Sequence, residues 1–305
     1  MIQPKALQSG DTISIVSPAS PIAEEKLGPG IALLESAGYK IKLGKHVLDT
    51  DGYLAGPDEH RAQDLMDAFL DPDSQAVLCS RGGYGTSRLI PLLDLDAMAA
   101  RQKLFVGFSD VTTLHLALQR RNLATLYAPM LLTFVKQREP WVIESFLGAL
   151  KGEHAIPEGA PQGNPVVAGV GKGMTTGGCL CLLCDSLATV DSLDAMGKVL
   201  FIEDVDENPH RVDAMFTHLL NAGILQSASA VVVGEMTGTD EKEDPTIGTK
   251  PWREIVSERL HRAGVPSMID FPFGHAPNML SLPLGVRAEV DASQGTLKFL
   301  EPLCD

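Results

Sequence analysis

Short apolar runs alternate with longer segments whose apolar residues recur every three or four positions throughout the first half of the chain. DTISIVSPAS (11–20), QAVLCS (75–80) and KLFVGF (103–108) are of the first kind and predict strands. KLGPGIALLESAGY (26–39), EHRAQDLMDAFLDP (59–72) and TSRLIPLLDLDAMAA (86–100) are of the second kind and predict helices, with IKLGKHV (41–47) as a further strand. Strand–helix–strand alternation implies a parallel sheet, and nearly all-apolar strands imply helices on both of its faces. From Lys151 to Pro165 the periodicity stops in KGEHAIPEGAPQGNP, a Gly- and Pro-rich stretch that reads as a linker. This sets residues 1–150 as one α/β domain, 151–165 as the linker and 166–305 as a second α/β domain.

In the second part KVLFIED (198–204) and SAVVVGEM (229–236) predict strands, and WREIVSERLHRAG (252–264) predicts a helix. RVDAMFTHLLNAG (211–223) carries Val212, Met215, Phe216, Leu219 and Leu220 on one helical face, with Asn208-Pro209 suited to its start and Gly223 to its end. VRAEVDASQGTLKFLE (286–301) predicts a closing hairpin turning at Ser-Gln-Gly, and the acidic segment 240–250 predicts a solvated loop or a mobile lid.

The chain has 305 residues, 44% of them hydrophobic, and a formal net charge of −14. That balance argues against nucleic acid or an anionic membrane as partner, since both need clustered Lys and Arg. The start of the chain lacks the basic-then-apolar order of a secretory signal, and no apolar run is long enough to span a bilayer, so a cytoplasmic protein is expected. Five cysteines fit a reducing compartment. Cys179, Cys181 and Cys184 are crowded together, but without a matching second pair, and they read as small buried side chains rather than a metal site.

Four segments carry candidate chemistry. In GFSDVT, Ser109 follows a predicted strand and precedes Val111, Leu114 and Leu118 at helical spacing, so it sits at the sheet edge where open α/β folds bind ligands. Ser109 or Asp110 could equally cap the helix, and the stretch lacks the second glycine of a Gly-x-Ser-x-Gly elbow. In CSRGGYGTSRLI, Gly82, Gly83 and Gly85 form a loop able to aim backbone N–H groups at a negative charge; a phosphate loop would need a following Gly-Lys-Ser/Thr. Should that loop face Ser109, the N–H groups of Gly83 and Asp110 could make an oxyanion hole. Glu203 ends an apolar strand, where a buried carboxylate needs a partner, and Asp204 beside it should face the opposite way. His275 lies in FPFGHAPN; His115, one helical stretch beyond Ser109, is its rival as a base but should point along its helix.

The ordered set IVSPAS, SRGGYG, GFSDVT, TTGG, FIEDVDE, FGH and LPLG resembles the LD-carboxypeptidase family of serine peptidases over nearly the whole chain. The resemblance implies a flavodoxin-like parallel-sheet amino-terminal domain and a smaller mixed α/β carboxyl-terminal domain. It also implies Ser109 as nucleophile, His275 as general base and Glu203 as the residue orienting it, with neither cofactor nor metal. Its expected substrate is a murein tetrapeptide that loses its terminal D-alanine, with Arg81 and Tyr84 as substrate-binding residues, and it leaves room for a homodimer. Three departures bear on substrate preference: Tyr127-Ala128-Pro129 stands where His-Gly-Pro is expected, Cys179 stands where an asparagine follows Gly-Gly, and His210 replaces a tyrosine. A microcin-immunity-type amidase with the same triad is the alternative within the superfamily, and would need an aromatic ring, Trp141 or Trp252, to stack on a nucleobase. A non-enzymatic binding protein of two α/β domains is the alternative outside it.

Overall fold

A computed structural model describes residues 1–305 except 154, 243–245, 247 and 305. The chain divides into two compact units, Met1–His154 with Ser281–Gly285 and Pro302–Asp305, and Ala155–Leu280 with Val286–Glu301. Of the predicted linker, His154 lies outside the described residues, as do residues 243–245 and 247 of the acidic segment.

In chain order the first unit contains β1 (Thr12–Val16), α1 (Gly28–Ser36), β2 (Lys40–Leu43), α2 (Asp58–Leu70), β3 (Ala76–Cys79), α3 (Leu95–Ala100), β4 (Leu104–Gly107), α4 (Thr112–Arg120), β5 (Thr125–Tyr127) and α5 (Pro140–Leu150). Strands 2-1-3-4-5 run parallel in that spatial order, the flavodoxin-like arrangement that the sequence resemblance implies. Every residue of β3 and β4 is buried, which accounts for their unbroken apolar runs. α2 turns Ala62, Leu65, Ala68 and Phe69 inward, and Phe69 meets Phe105 of β4 with ring centroids 5.7 Å apart. Truncating either ring to alanine should cost about 3–5 kcal/mol.

The helix predicted over residues 86–100 is instead two 3₁₀ turns, Thr86–Arg88 and Ile90–Leu92, followed by α3. Pro91 removes a donor within the stretch, and the Asp94 carboxylate accepts the N–H of Ala97 to start α3 afresh.

The second unit contains β6 (Asn164–Val167), β7 (Val170–Cys179), α6 (Leu180–Ser186), β8 (Val199–Val205), α7 (Pro209–Asn221), α8 (Ile224–Ser227), β9 (Ala230–Thr237), α9 (Trp252–Ala263) and β10 (Ser267–Ile269). Next come β11 (Leu282–Leu284), which pairs antiparallel with β5 and completes the first unit's sheet, then β12 (Arg287–Asp291) and β13 (Thr296–Phe299). The second sheet has the order 13-12-7-8-9-10-6, with parallel pairing from β7 through β10 and antiparallel pairing outside it. The end of the predicted linker is therefore strand: Asn164 and Pro165 lie in β6, at the edge of the sheet, the place where strands tolerate proline. α7 begins after Asn208 with Pro209 in its first turn and is followed by Gly223 in the left-handed region, as the spacing predicts.

Candidate active site

The loops that follow β1, β3 and β4 lie at the carboxyl ends of their strands, around the point where the strand order reverses between β1 and β3. Ser109, two residues past β4, has φ +67°, a left-handed conformation that a serine adopts only where its surroundings enforce it. Phe108 before it is extended and occupies the cap position of the 3₁₀ turn Ser109–Val111, while Val111 occupies that of α4. Neither Ser109 nor Asp110 is the cap residue.

The glycine loop lies against this turn. A Cβ on Gly82 would fall 2.8 Å from both Cβ and Oγ of Ser109 and 3.4 Å from the amide nitrogen of Asp110, so only glycine fits. Gly83, at φ +119°, leaves no room for a side chain over Ser20, whose hydroxyl accepts the N–H of Tyr84 at 3.2 Å. The Asp110 carboxylate accepts the N–H of Thr86 at 2.9 Å, and the Thr86 hydroxyl donates to the carbonyl of Asp110 at 2.6 Å. Burial raises the pKa of Asp110, against the hydrogen bonds from Thr86 and Gly85 and the positive charge of Arg61. The buried Arg61 guanidinium donates to the carbonyls of Pro18 and Gly85 and pairs with Asp58, tying the loop after β1 to the glycine loop.

Tyr127, buried at the end of β5, accepts the N–H of Ser109 through its phenol oxygen at 3.1 Å. In the sequence this residue is only part of the departure Tyr127-Ala128-Pro129; the β4–β5 pairing of Gly107 with Tyr127 brings it beside the turn. Arg81 donates to the carbonyls of Gly82 and Pro21, both at 3.2 Å, and the ring of Tyr84 is exposed beside Tyr53, centroids 5.8 Å apart. His115 is fully buried. Its Nε2–H donates to the carbonyl of Gly107 at 2.9 Å and its Nδ1 accepts from the Thr125 hydroxyl at 2.8 Å, so both nitrogens are engaged in the core. Burial pushes its pKa down to about 4.

In the second unit Glu203, at 0% exposure near the end of β8, binds the segment after Gly274 twice. Its Oε2 accepts the backbone N–H of His275 at 3.0 Å and the Nδ1–H of the same residue at 2.7 Å. Gly274 has φ +84°, and a Cβ there would lie 2.3 Å from Cγ and Oε2 of Glu203, so this close approach requires glycine. Burial lowers the pKa of His275, but the charge of Glu203, its hydrogen bond, and the charges of Asp204 and Asp206 outweigh that, and the net shift is upward. A carboxylate on Nδ1 fixes the tautomer that presents Nε2 as a base.

Asp204 faces the other way. Its Oδ2 accepts the N–H of Cys181 at 2.9 Å, and its Oδ1 accepts that of Val205 at 2.8 Å and lies 3.3 Å from Sγ of Cys179. Burial, then the charge of Glu203, raises its pKa to about 6. Asp206 is exposed and Glu207 half-buried, so the reading of solvated charge holds fully for Asp206 alone.

Residues 13–128 match the model of the LD-carboxypeptidase N-terminal domain, and residues 172–290 match that of the LD-carboxypeptidase C-terminal domain. The chain belongs to the LD-carboxypeptidase family. A Bacillus subtilis protein named a probable murein peptide carboxypeptidase is 33% identical over 96% of this chain and 93% of its own length. The muramoyltetrapeptide carboxypeptidase of Oxalobacter formigenes has a similar structure, with TM-score 0.83, 28% identity and coverage of 94% of this chain and 97% of that one. So has the microcin C7 self-immunity protein in complex with aspartyl sulfamoyl adenosine, with TM-score 0.88, 25% identity and full coverage of both chains. Membership makes this LD-carboxypeptidase-family chain a peptidase of the carboxypeptidase class, a hydrolase. Among its described residues no helix is long and apolar enough to cross a membrane.

Proposed function

We propose that this chain is a serine carboxypeptidase that hydrolyses the L,D-amide bond of murein tetrapeptides, releasing the terminal D-alanine during peptidoglycan recycling. The observation that carries the reading is the double grip of Glu203 on His275, which holds the imidazole in the tautomer whose Nε2 can act as general base. In this mechanism Nε2 takes the proton of Ser109 Oγ as that oxygen attacks the scissile carbonyl carbon. The N–H groups of Gly83 and Asp110 stabilise the resulting oxyanion. His275 then returns the proton to the leaving D-alanine nitrogen, and water, activated by the same imidazole, releases the acyl group from Ser109. The left-handed Ser109 and the glycine loop beside it support the nucleophile assignment, because both present Oγ and backbone N–H groups without side-chain obstruction. No step calls on a cofactor or metal.

Arg81 and Tyr84 are assigned to the substrate, with the Arg81 guanidinium taking its terminal carboxylate. That role asks Arg81 to exchange its bonds to the carbonyls of Gly82 and Pro21 for bonds to the ligand. The same reading puts the enzyme in the cytoplasm and allows a homodimer.

Likeness to the microcin self-immunity structure supports a second reading, cleavage of a peptide–nucleotide amide by the same triad. Trp252 does not suit the stacking this needs, because it is 2% exposed and its ring is covered by the Arg253 guanidinium, 4.3 Å from the ring centroid; Trp141, half-buried at the start of α5, is the remaining tryptophan. Mass spectrometry of products from four compounds tests both readings. D-Alanine should be released from the L,D-tetrapeptide, little should be released from its L-alanine epimer, and almost none from the carboxamide. Rapid cleavage of a peptidyl-adenylate mimic with the tetrapeptide untouched would favour the microcin-type reading, and turnover of none of the four would favour a binding protein.

A further inference from the structure

The C-x-C of Cys179 and Cys181 spans the junction of β7 and α6, so the two thiols turn to the same side while Leu180 between them is buried in the core. A second pair of cysteines, the usual partner of such spacing in a zinc site, is absent from the sequence, but the fold supplies a third donor from β8. Sγ of Cys179 and Sγ of Cys181 are 3.5 Å apart, and Oδ1 of Asp204 lies 3.3 Å from the first and 3.9 Å from the second. One face of a zinc tetrahedron with Zn–S of about 2.3 Å and Zn–O of about 2.1 Å has edges of about 3.8 Å between sulfurs and about 3.6 Å from sulfur to oxygen. All three observed separations lie within about 0.3 Å of those edges. The three donors stand as one face of such a tetrahedron.

Two further features favour a cation. The Asp204 carboxylate is held in place by the N–H groups of Cys181 and Val205, the kind of outer hydrogen bonding that orients metal-ligating carboxylates. Buried Glu203 lies next to it in the chain, and among the described residues no lysine or arginine forms an ion pair with Asp204. Glu203 is met by His275, so the charge a dication would compensate in this place is that of Asp204. Cys184 is outside the set, its Sγ directed to the carbonyl of Met215 at 3.7 Å.

We infer that Cys179, Cys181 and Asp204 form a binding site for one thiophilic divalent cation of the zinc class, held by two thiolates and one carboxylate oxygen with a fourth position for water. Binding converts two thiols to two metal–sulfur bonds and releases two protons to solvent, with no change of oxidation state. The site is separate from the proposed reaction, in which the cation takes no part.

Titration of the full-length, reduced and chelator-treated protein with Co²⁺ tests this, because cobalt reports its ligands by absorption. One equivalent per chain should bind with a sulfur-to-metal charge-transfer band, and Zn²⁺ should displace it. His46, Asp49 and His60, another group of three donors on a shared patch, offer only nitrogen and oxygen and cannot give that band. The Cys179→Ser/Cys181→Ser protein should lose the band and Cys184→Ser should keep it in full. Asp204→Asn, which retains both sulfurs and nearly the same shape, should weaken binding by at least about 10-fold and guards against a double variant that folds poorly. Absence of a sulfur band from the folded protein, its persistence in the double serine variant, or unchanged affinity in Asp204→Asn overturns the assignment.

Discussion

Replacing Glu203 by glutamine keeps the shape of the side chain and removes the charge that faces the His275 imidazole. Glu203 Oε2 accepts Nδ1–H at 2.7 Å inside a fully buried strand end, so the charge is poorly screened. Unit charges about 4 Å apart at an effective dielectric of about 20 attract by about 4 kcal/mol, and a neutral hydrogen bond kept by glutamine recovers about 1 kcal/mol. A transition state that forms imidazolium should therefore lose about 2–3 kcal/mol, which lowers kcat about 30- to 150-fold. The fall is larger where the glutamine amide turns its NH₂ toward Nδ1 and selects the wrong tautomer. KM should change far less, since the ground state carries no imidazolium charge. The pH profile gives a second reading. The raised pKa of His275 means that wild-type kcat/KM climbs as pH rises through a value above 6.5, and loss of the carboxylate charge should move that limb to lower pH. Steady-state kinetics from pH 5 to 9 on Glu203→Gln and Asp204→Asn decide the matter. A Glu203→Gln enzyme within about threefold of wild type, or equal losses in the two variants, would refute the assignment of the orienting carboxylate.

Gly274→Ala should push the Glu203 carboxylate off His275 and also strain a left-handed position, with kcat down at least about tenfold and a lower Tm; wild-type values for both would contradict the close approach. Tyr127→Phe removes the acceptor of the Ser109 N–H and should cost about 1–3 kcal/mol in stability by urea denaturation, with slower turnover if the Ser109 turn relaxes. His115 has a folded pKa of about 4 against 6.5, so it withholds a proton that the unfolded chain binds. Its contribution to stability is present above about pH 6.5 and is lost as pH falls toward 4, on the order of 3 kcal/mol, and a His115→Leu protein should lack that part of the pH slope. Activity should survive His115→Gln better than His275→Gln, compared at equal folded fraction; the reverse order would make His115 the base.

Periodicity alone was enough for most helices and buried strands, because their apolar faces repeat at a fixed interval. The strand order was not in that signal, since nothing local in β1, β2 or β3 states which neighbour each takes. β11 was missed for a related reason: Leu282-Pro283-Leu284 is too short to show alternation and pairs with a strand far earlier in the chain. Glu203 and His275 could each be picked out by burial and loop context, whereas their hydrogen bond required the resemblance to suggest it. Tyr127 and Asp204 gave no local sign of their roles, because each depends on a partner brought near by sheet pairing. Pro91 and Asp94 were legible breaks within an otherwise helical pattern, and the apolar repeat obscured them.

Covalent labelling with a serine-directed fluorophosphonate, read by intact mass and peptide mapping, addresses the central claim most directly. The account predicts one adduct per chain, on Ser109, formed slowly in His275→Ala and not at all in Ser109→Ala. An adduct on another serine, or no adduct on a protein that nevertheless releases D-alanine, would contradict it.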